Sequence, residues 1–360
     1  MEVSTKDRKV ILGKEDFGIF WDYITDDFYT DIDYNGTELW IKNIYGEKVI
    51  VERNLPMEFL NKFCQRVADS VNGYFTPQDP VLEAETETLR ISIIHEVVAG
   101  TGRSICIRKV SEKLRFSSAR EVIDAGYCSD KILQFLVNCV LAKCNIMICG
   151  EMGVGKTEWA RFLSHYIPNE QRVITLEDSP EWHYKNINPD HDCVSLKVNK
   201  QVGYSELLKA CLRQDAVWIM LSETRGREVV NLIENLMSGA RVISTIHSDD
   251  VRKIPNRMLS MTGDRNDAER LAYNIYECLD IGILLRWKGK KRYIDQICAY
   301  YMKDDKYKID MIVSNGKLIF EDIPETILTK FKVEEITDPF SCHVIQEELK
   351  TYEETARTEC

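Results

Sequence analysis

Eight consecutive residues, Gly150-Glu151-Met152-Gly153-Val154-Gly155-Lys156-Thr157, fit the pattern G-x-x-x-x-G-K-[ST] at every fixed position. The chemistry such a run supports is a grip on a nucleoside triphosphate. Glycines let the backbone turn its N–H groups toward phosphate oxygens, and the positive end of a following helix favours the anion. Lys156 would reach the β- and γ-phosphates, and the Thr157 hydroxyl would sit on Mg²⁺. The pattern means this only where a buried strand leads in and a helix leads out. Residues 145–149 form a short apolar run, and Trp159, Phe162 and Leu163 follow at helical spacing, so both conditions are met.

In an open parallel α/β sheet, ligands bind at the carboxyl ends of the strands. Three further apolar runs end informatively. Residues 217–221 lead into Ser222-Glu223-Thr224-Arg225, which puts the Glu223 carboxylate where it could meet Mg²⁺ or an attacking water. Residues 172–176 lead into Glu177-Asp178-Ser179-Pro180-Glu181, a second acidic group expected at the same edge. Residues 241–246 end at His247, a candidate sensor of the γ-phosphate or of a neighbouring subunit. Each has an ordinary alternative: acids after strands cap helices and form turns, which weighs on Asp178 and Glu181 as much as function does.

The elements that must position these groups fall into two halves, divided near residues 117–127. In the first, Asn35-Gly36 marks a turn before a strand at 38–41, another strand covers 48–51, and Pro56 opens a helix carrying Phe59, Leu60, Phe63, Val67 and Val71. Two further strands at 89–98 and 104–110 complete a small α/β domain. In the second half, continuous apolar strands alternate with helices, which predicts a mostly parallel sheet covered on both faces. The segments 279–287, 291–302 and 308–313 read as an antiparallel β appendage, and the tail after Glu347 is polar and expected to fray. The expected division is 1–122 for the N-terminal domain, 123–345 for the domain that carries the glycine run and 346–360 for the tail.

A formal charge of −11 argues against a general nucleic-acid coat, because phosphate neutralisation needs clustered Lys and Arg. The basic run Lys288-Gly289-Lys290-Lys291-Arg292 reads as a solvated hairpin turn. No window reaches eighteen consecutive apolar residues, and the stretch Met1-Glu2-Val3-Ser4-Thr5-Lys6-Asp7-Arg8 lacks the apolar centre of a signal peptide. A cytoplasmic protein, at most peripheral to the membrane, is expected. The twelve cysteines are scattered without a C-x-x-C pair and read as reduced core thiols.

Together these segments resemble the traffic ATPases of type II and type IV secretion and type IV pilus systems, most of all the tight-adherence pilus and conjugation-like branch. The resemblance covers about residues 30–323. The family's acidic box, similar to I-T-I-E-D-x-x-E, is matched by Ile174-Thr175-Leu176-Glu177-Asp178-Ser179-Pro180-Glu181. A box resembling L-R-Q-D-P-D, an apolar strand, G-E and x-R is matched by Leu212-Arg213-Gln214-Asp215-Ala216 and the run through Glu223 and Arg225. A third, S-T-[IL]-H, is Ser244-Thr245-Ile246-His247. Near the start, Thr30-Asp31-Ile32 through Gly36 is similar to the family's opening, and Arg90 and Arg108 match two arginines that approach the terminal phosphate in the secretion branch. The chain departs from the family pattern at Ser222, which replaces a glycine, at Ala216-Val217, which replace Pro-Asp, and at Asp249-Asp250. The tetracysteine metal module of some members is absent from the sequence.

The resemblance implies a RecA-like P-loop domain behind a small α/β domain, an oligomeric ring, most simply a hexamer, with nucleotide between the two domains, and inner-membrane platform or secretion-channel partners. It implies Mg-ATP hydrolysis using Lys156, Glu223, Glu177, His247, Arg90 and Arg108, with Mg²⁺ held by Thr157 and Glu223. Which of Glu177 and Glu223 acts as general base stays open. Two other readings remain at this level. One is a nucleotide-binding scaffold with little turnover, motivated by Ser222 and the missing Pro-Asp; the other is a stand-alone P-loop NTPase or kinase.

Overall fold

The computed structural model describes residues 12–199, 201–263 and 267–358, so the N-terminal stretch read above for a signal peptide lies outside the described residues. The chain divides into two units, Met1–Glu112 and Lys113–Cys360.

In the first unit, alternation of apolar and polar residues dictates strands with one buried face. β1 (Tyr29–Tyr34), β2 (Glu38–Asn43), β3 (Lys48–Arg53), β4 (Val81–Glu85), β5 (Leu89–Ile94) and β6 (Ser104–Lys109) form a six-stranded antiparallel sheet in the order β3-β2-β1-β6-β5-β4. Leu89, Ile91 and Ile93 of β5 and Ile105 and Ile107 of β6 point into the core, while Arg90, Ser92 and Arg108 alternate onto the other face. Helix Met57–Ser70 starts after Pro56 and turns Leu60, Phe63, Cys64, Val67 and Ala68 toward that core. Asn35 Oδ1 accepts from the Thr37 and Glu38 amides at 3.1 and 2.8 Å, closing the turn between β1 and β2.

In the second unit, the apolar runs are continuous because both faces are covered. β7 (Ile146–Gly150), β8 (Val173–Glu177), β9 (Cys193–Lys197), β10 (Trp218–Leu221), β11 (Arg241–Ile246), β12 (Ile281–Lys288), β13 (Lys291–Lys303), β14 (Lys306–Ser314) and β15 (Lys317–Leu318) form one sheet in the order β15-β14-β13-β12-β7-β11-β10-β8-β9. The pairings from β9 through β12 are parallel. Ile146 and Ile148 of β7 enter one core and Met147 and Cys149 the opposite one, as a strand sandwiched between helices requires. The antiparallel strands expected as an appendage continue this same sheet: β12 pairs parallel with β7 on one side and antiparallel with β13 on the other.

The C-terminal segment corrects the expectation of a frayed polar tail. Residues His343–Thr358 form a helix whose Ile345 is fully buried and whose Val344 and Leu349 pack on the main core. Its polar composition hid an apolar stripe. Glu348 fastens it, accepting from the Ala119 amide at 2.6 Å and the Tyr166 hydroxyl at 3.1 Å. The described cysteines are all free thiols, and most are buried. Among the described residues, no helix is long and apolar enough to cross a membrane.

Candidate functional site

The glycine run leaves the sheet at the end of β7, where backbone geometry excludes side chains. Gly150 adopts φ of 145°, and a Cβ there would lie 2.6 Å from the Leu285 carbonyl oxygen and 2.9 Å from Val154 Cγ1. Gly155 adopts φ of 96° immediately before helix Lys156–Ser164. That helix is anchored by Trp159, which stacks on Tyr127 with centroids 5.6 Å apart. The four-carbon stem of Lys156 is buried, and its Nζ donates to the Gly150 and Glu151 carbonyls at 3.1 and 3.2 Å. Burial pushes this ammonium below its ordinary pKa, against the opposing pull of Glu223, Cys149 and Glu181. The charge of Lys156 is thus held inside the loop with two carboxylates close enough to act on it.

β7, β11, β10 and β8 are neighbours in the sheet, so their carboxyl ends form one continuous edge. Leu221 pairs with both Leu176 and Ser244, which places Ser222-Glu223, Glu177 and the end of β11 side by side. Glu177 Oε2 accepts from the amides of Glu181 at 2.7 Å and Trp182 at 2.9 Å, which fixes the turn after β8. That turn carries Glu181 back to the glycine loop, where its Oε2 accepts from the Thr157 hydroxyl at 3.1 Å. Glu223 is gripped at both oxygens: His247 Nε2 lies 2.8 Å from Oε1, and Arg225 Nε donates to Oε2 at 2.7 Å. Arg225 Nη1 donates in turn to Asp178 Oδ2 at 3.0 Å.

The structure therefore brings Lys156, Thr157, Glu177, Glu181, Glu223 and His247 to one sheet edge, along the loop Gly150, Glu151, Met152, Gly153, Val154 and Gly155. Met152 is exposed at the loop's tip, and Val154 is buried as its inner anchor. Thr157 and Glu223 have different direct partners, Glu181 and the His247–Arg225 pair respectively. The donor set of one hydroxyl and nearby carboxylates is hard oxygen chemistry of the kind Mg²⁺ takes.

Sequence reasoning gave no role to two residues here. Arg225 had only a place in a motif. Arg292 belonged to a run read as a solvated hairpin turn; the turn at Gly289 is present and residues 288–291 are exposed, but Arg292 is half-buried. It pairs across the hairpin with Trp287, its guanidinium lies 4.3 Å from that ring's centroid, and its Nη2 donates to the Gly153 carbonyl at 3.4 Å. The signal was an aromatic residue opposite a cation at hairpin spacing.

Arg90 and Arg108 belong to the first unit, where they face each other as cross-strand partners on β5 and β6. The same row continues to Glu85 opposite Arg90, and to Asp31 opposite Arg108, with Lys42 opposite Asp31. Arg108 Nε donates to Asp31 Oδ1 at 2.8 Å, and Arg90 Nε lies 3.9 Å from Glu85 Oε1. Burial raises the Asp31 carboxyl, but the hydrogen bond and charge of Arg108, with Thr30 and Lys42, outweigh it and hold its pKa below 3.8.

A family model described as "Type II/IV secretion system protein" matches residues 70–286. An uncharacterized protein of Bacillus anthracis is 28% identical over 311 residues, which is 81% of this chain and 69% of that protein. The type IV secretion system protein VirB11 of Bartonella quintana is 33% identical over 144 residues, which is 37% of this chain and 39% of VirB11. Among solved structures, the ATPase DotB of Yersinia pseudotuberculosis aligns with a TM-score of 0.62 at 15% identity, covering 82% of each chain. The pilus retraction motor PilT with bound ADP aligns with a TM-score of 0.57 at 15% identity, covering 88% of this chain and 85% of PilT. At such identity the two structures speak for the fold alone.

Proposed function

This chain belongs to the type II/IV secretion system protein family, and we propose that it is the ATP-hydrolysing motor of a secretion or pilus-type machine. The observation that carries the reading is the convergence of Lys156, Thr157, Glu181 and Glu223 beside the glycine loop at the carboxyl edge of a parallel sheet. Backbone N–H groups and Lys156 take the phosphates. Thr157 and Glu223 would hold Mg²⁺, with Glu181 a further candidate because it already bonds Thr157. When bound, such a metal would supply neutralisation of phosphate charge.

Glu223 orients or deprotonates the attacking water, and His247 reads its state. Between the two acids, Glu223 is the better placed: Glu177 Oε2 is built into the turn by two backbone amides, whereas Glu223 Oε1 is held by a half-exposed imidazole that a water can displace. Arg90 and Arg108 lend positive charge to the terminal phosphate. A hexameric ring, partners at the inner membrane and a cytoplasmic, membrane-peripheral location belong to the same proposal.

The grip on both Glu223 oxygens favours a second reading, a nucleotide-binding scaffold with little turnover. ATP binding and phosphate release measured on wild type and Lys156→Ala separate the two. The motor reading expects wild type to bind and release, with both lost in the variant. ATP bound and kept by wild type supports the scaffold, and undiminished release by Lys156→Ala overturns the site.

A further inference from the structure

Ser222 stands immediately before Glu223, where the family pattern has a glycine. Its backbone is fixed on two sides: the Ser222 amide donates to the Leu176 carbonyl at 3.1 Å, and the Thr245 hydroxyl donates to the Ser222 carbonyl at 2.7 Å. The side chain is buried, and its Oγ lies 3.1 Å from the phenol oxygen of Tyr204. Tyr204 begins helix Tyr204–Cys211, which packs over this end of the sheet with Leu208 and Cys211 in its core. The backbone of Asp178 also hydrogen-bonds the Tyr204 phenol. Asp178 holds Arg225, and Arg225 holds Glu223. The contacts therefore close on themselves through Ser222, Tyr204, Asp178, Arg225 and Glu223.

Several features argue that this ring does more than decorate the surface. Burial pushes the Tyr204 phenol up to about 12, so it is a neutral hydroxyl able both to donate and to accept throughout the working pH range. An exposed arginine paired with one acid contributes little, but Arg225, though exposed, bridges two carboxylates that follow different strands, Asp178 after β8 and Glu223 after β10, and so ties those strand ends together. Finally, the two Glu223 oxygens are held unequally. Oε2 is tied into the ring by Arg225, while Oε1 meets the His247 imidazole, which is 43% exposed. An arriving water can take Oε1 from His247 while Arg225 keeps the carboxylate plane in place.

We infer that Tyr204 and Arg225 are positioning residues for Glu223, acting through Ser222 and Asp178, and that the Tyr204–Ser222 contact is this chain's own replacement for the glycine of the family pattern. The inference rests on the ATPase reading of the site. It predicts that the ring affects the chemical step and leaves nucleotide binding alone.

The test measures phosphate release against ATP concentration, ATP binding by fluorescence and melting temperature on the full chain. Tyr204→Phe should lower kcat about fivefold, the rate equivalent of one ordinary hydrogen bond, with KM and ATP affinity unchanged. Ser222→Gly should lower it to a similar degree, and the double variant should be no worse than the worse single variant, because the two share one contact. Arg225→Lys should lower kcat on the order of tenfold, Asp178→Asn less, and together they should be less than additive. In a Glu223→Gln background, Tyr204→Phe should change nothing further. Unchanged kcat in both Tyr204→Phe and Arg225→Lys overturns the inference while leaving the ATPase reading intact. So does a loss confined to melting temperature or KM, or full additivity of Tyr204→Phe with Ser222→Gly. Wild type that binds ATP without releasing phosphate overturns the ATPase reading, and this role with it.

Discussion

The two sheets carry their candidate functional side chains in opposite ways. In the second unit, strands buried on both faces have no side to spare, so the candidate groups sit where a strand stops: Gly150 and Glu177 at the last positions of β7 and β8, Glu223 after β10 and His247 after β11. In the first unit, one face of an antiparallel sheet is free of the core, and Arg90 and Arg108 stand mid-strand in a charged row running from Glu85 to Lys42. Parallel topology concentrates chemistry at an edge that neighbouring strands must share. Antiparallel topology displays it on a surface, where alternation sets which residues are outward and register sets which ones meet.

The largest expected effect separates the two regions most sharply. Lys156→Ala removes the charge held within the loop, and its phosphate release should fall on the order of 1000-fold as ATP binding is lost. A fall of similar size from the arginine row alone would move the centre of binding to the first unit. Replacing Arg90 and Arg108 together by Ala should cost on the order of 100-fold in kcat with ATP still bound, as removal of transition-state charge does. An unchanged kcat would reduce that row to structure. Arg292→Ala, which strips the guanidinium from Trp287 and from the Gly153 carbonyl, should weaken ATP binding about tenfold or less, measured by titration of a fluorescent ATP analogue.

The smallest effect lies in the first unit and is a matter of pH. Asp31 has its pKa lowered in the folded chain, so it contributes stability above its ordinary value of 3.8, and that contribution is lost as pH falls through the folded value. Arg108 is half exposed, so Arg108→Ala should cost less than about 1 kcal/mol at neutral pH, and the difference should shrink in acid. Melting curves at the two pH values check this; a difference that grows in acid would contradict the assignment.

The contrast also explains what could be read beforehand. The strand ends were legible because a continuous apolar run that stops at Glu177, Glu223 or His247 announces both the strand and its polar edge. The Thr157–Glu181 contact was not, since it depends on how the turn after β8 folds back, and that turn is set by Glu177 bonding two amides. Arg225 had a motif position but no visible partner until β8 and β10 lay side by side with Asp178 in reach. The Arg292 contacts with Trp287 and Gly153 were hidden because a basic hairpin does not reveal its register in the sequence. The C-terminal helix escaped notice because its stripe of Val344, Ile345 and Leu349 is narrow amid polar residues.

The central claim is that the glycine loop binds and the strand-end carboxylate of β10 does the chemistry. A single-turnover experiment on Glu223→Gln tests it most directly, following bound ATP and released phosphate in the same sample. The account predicts ATP bound as tightly as in wild type, with release slowed about 100-fold or more. Release at the wild-type rate, or loss of ATP binding with no separate effect on turnover, would contradict it.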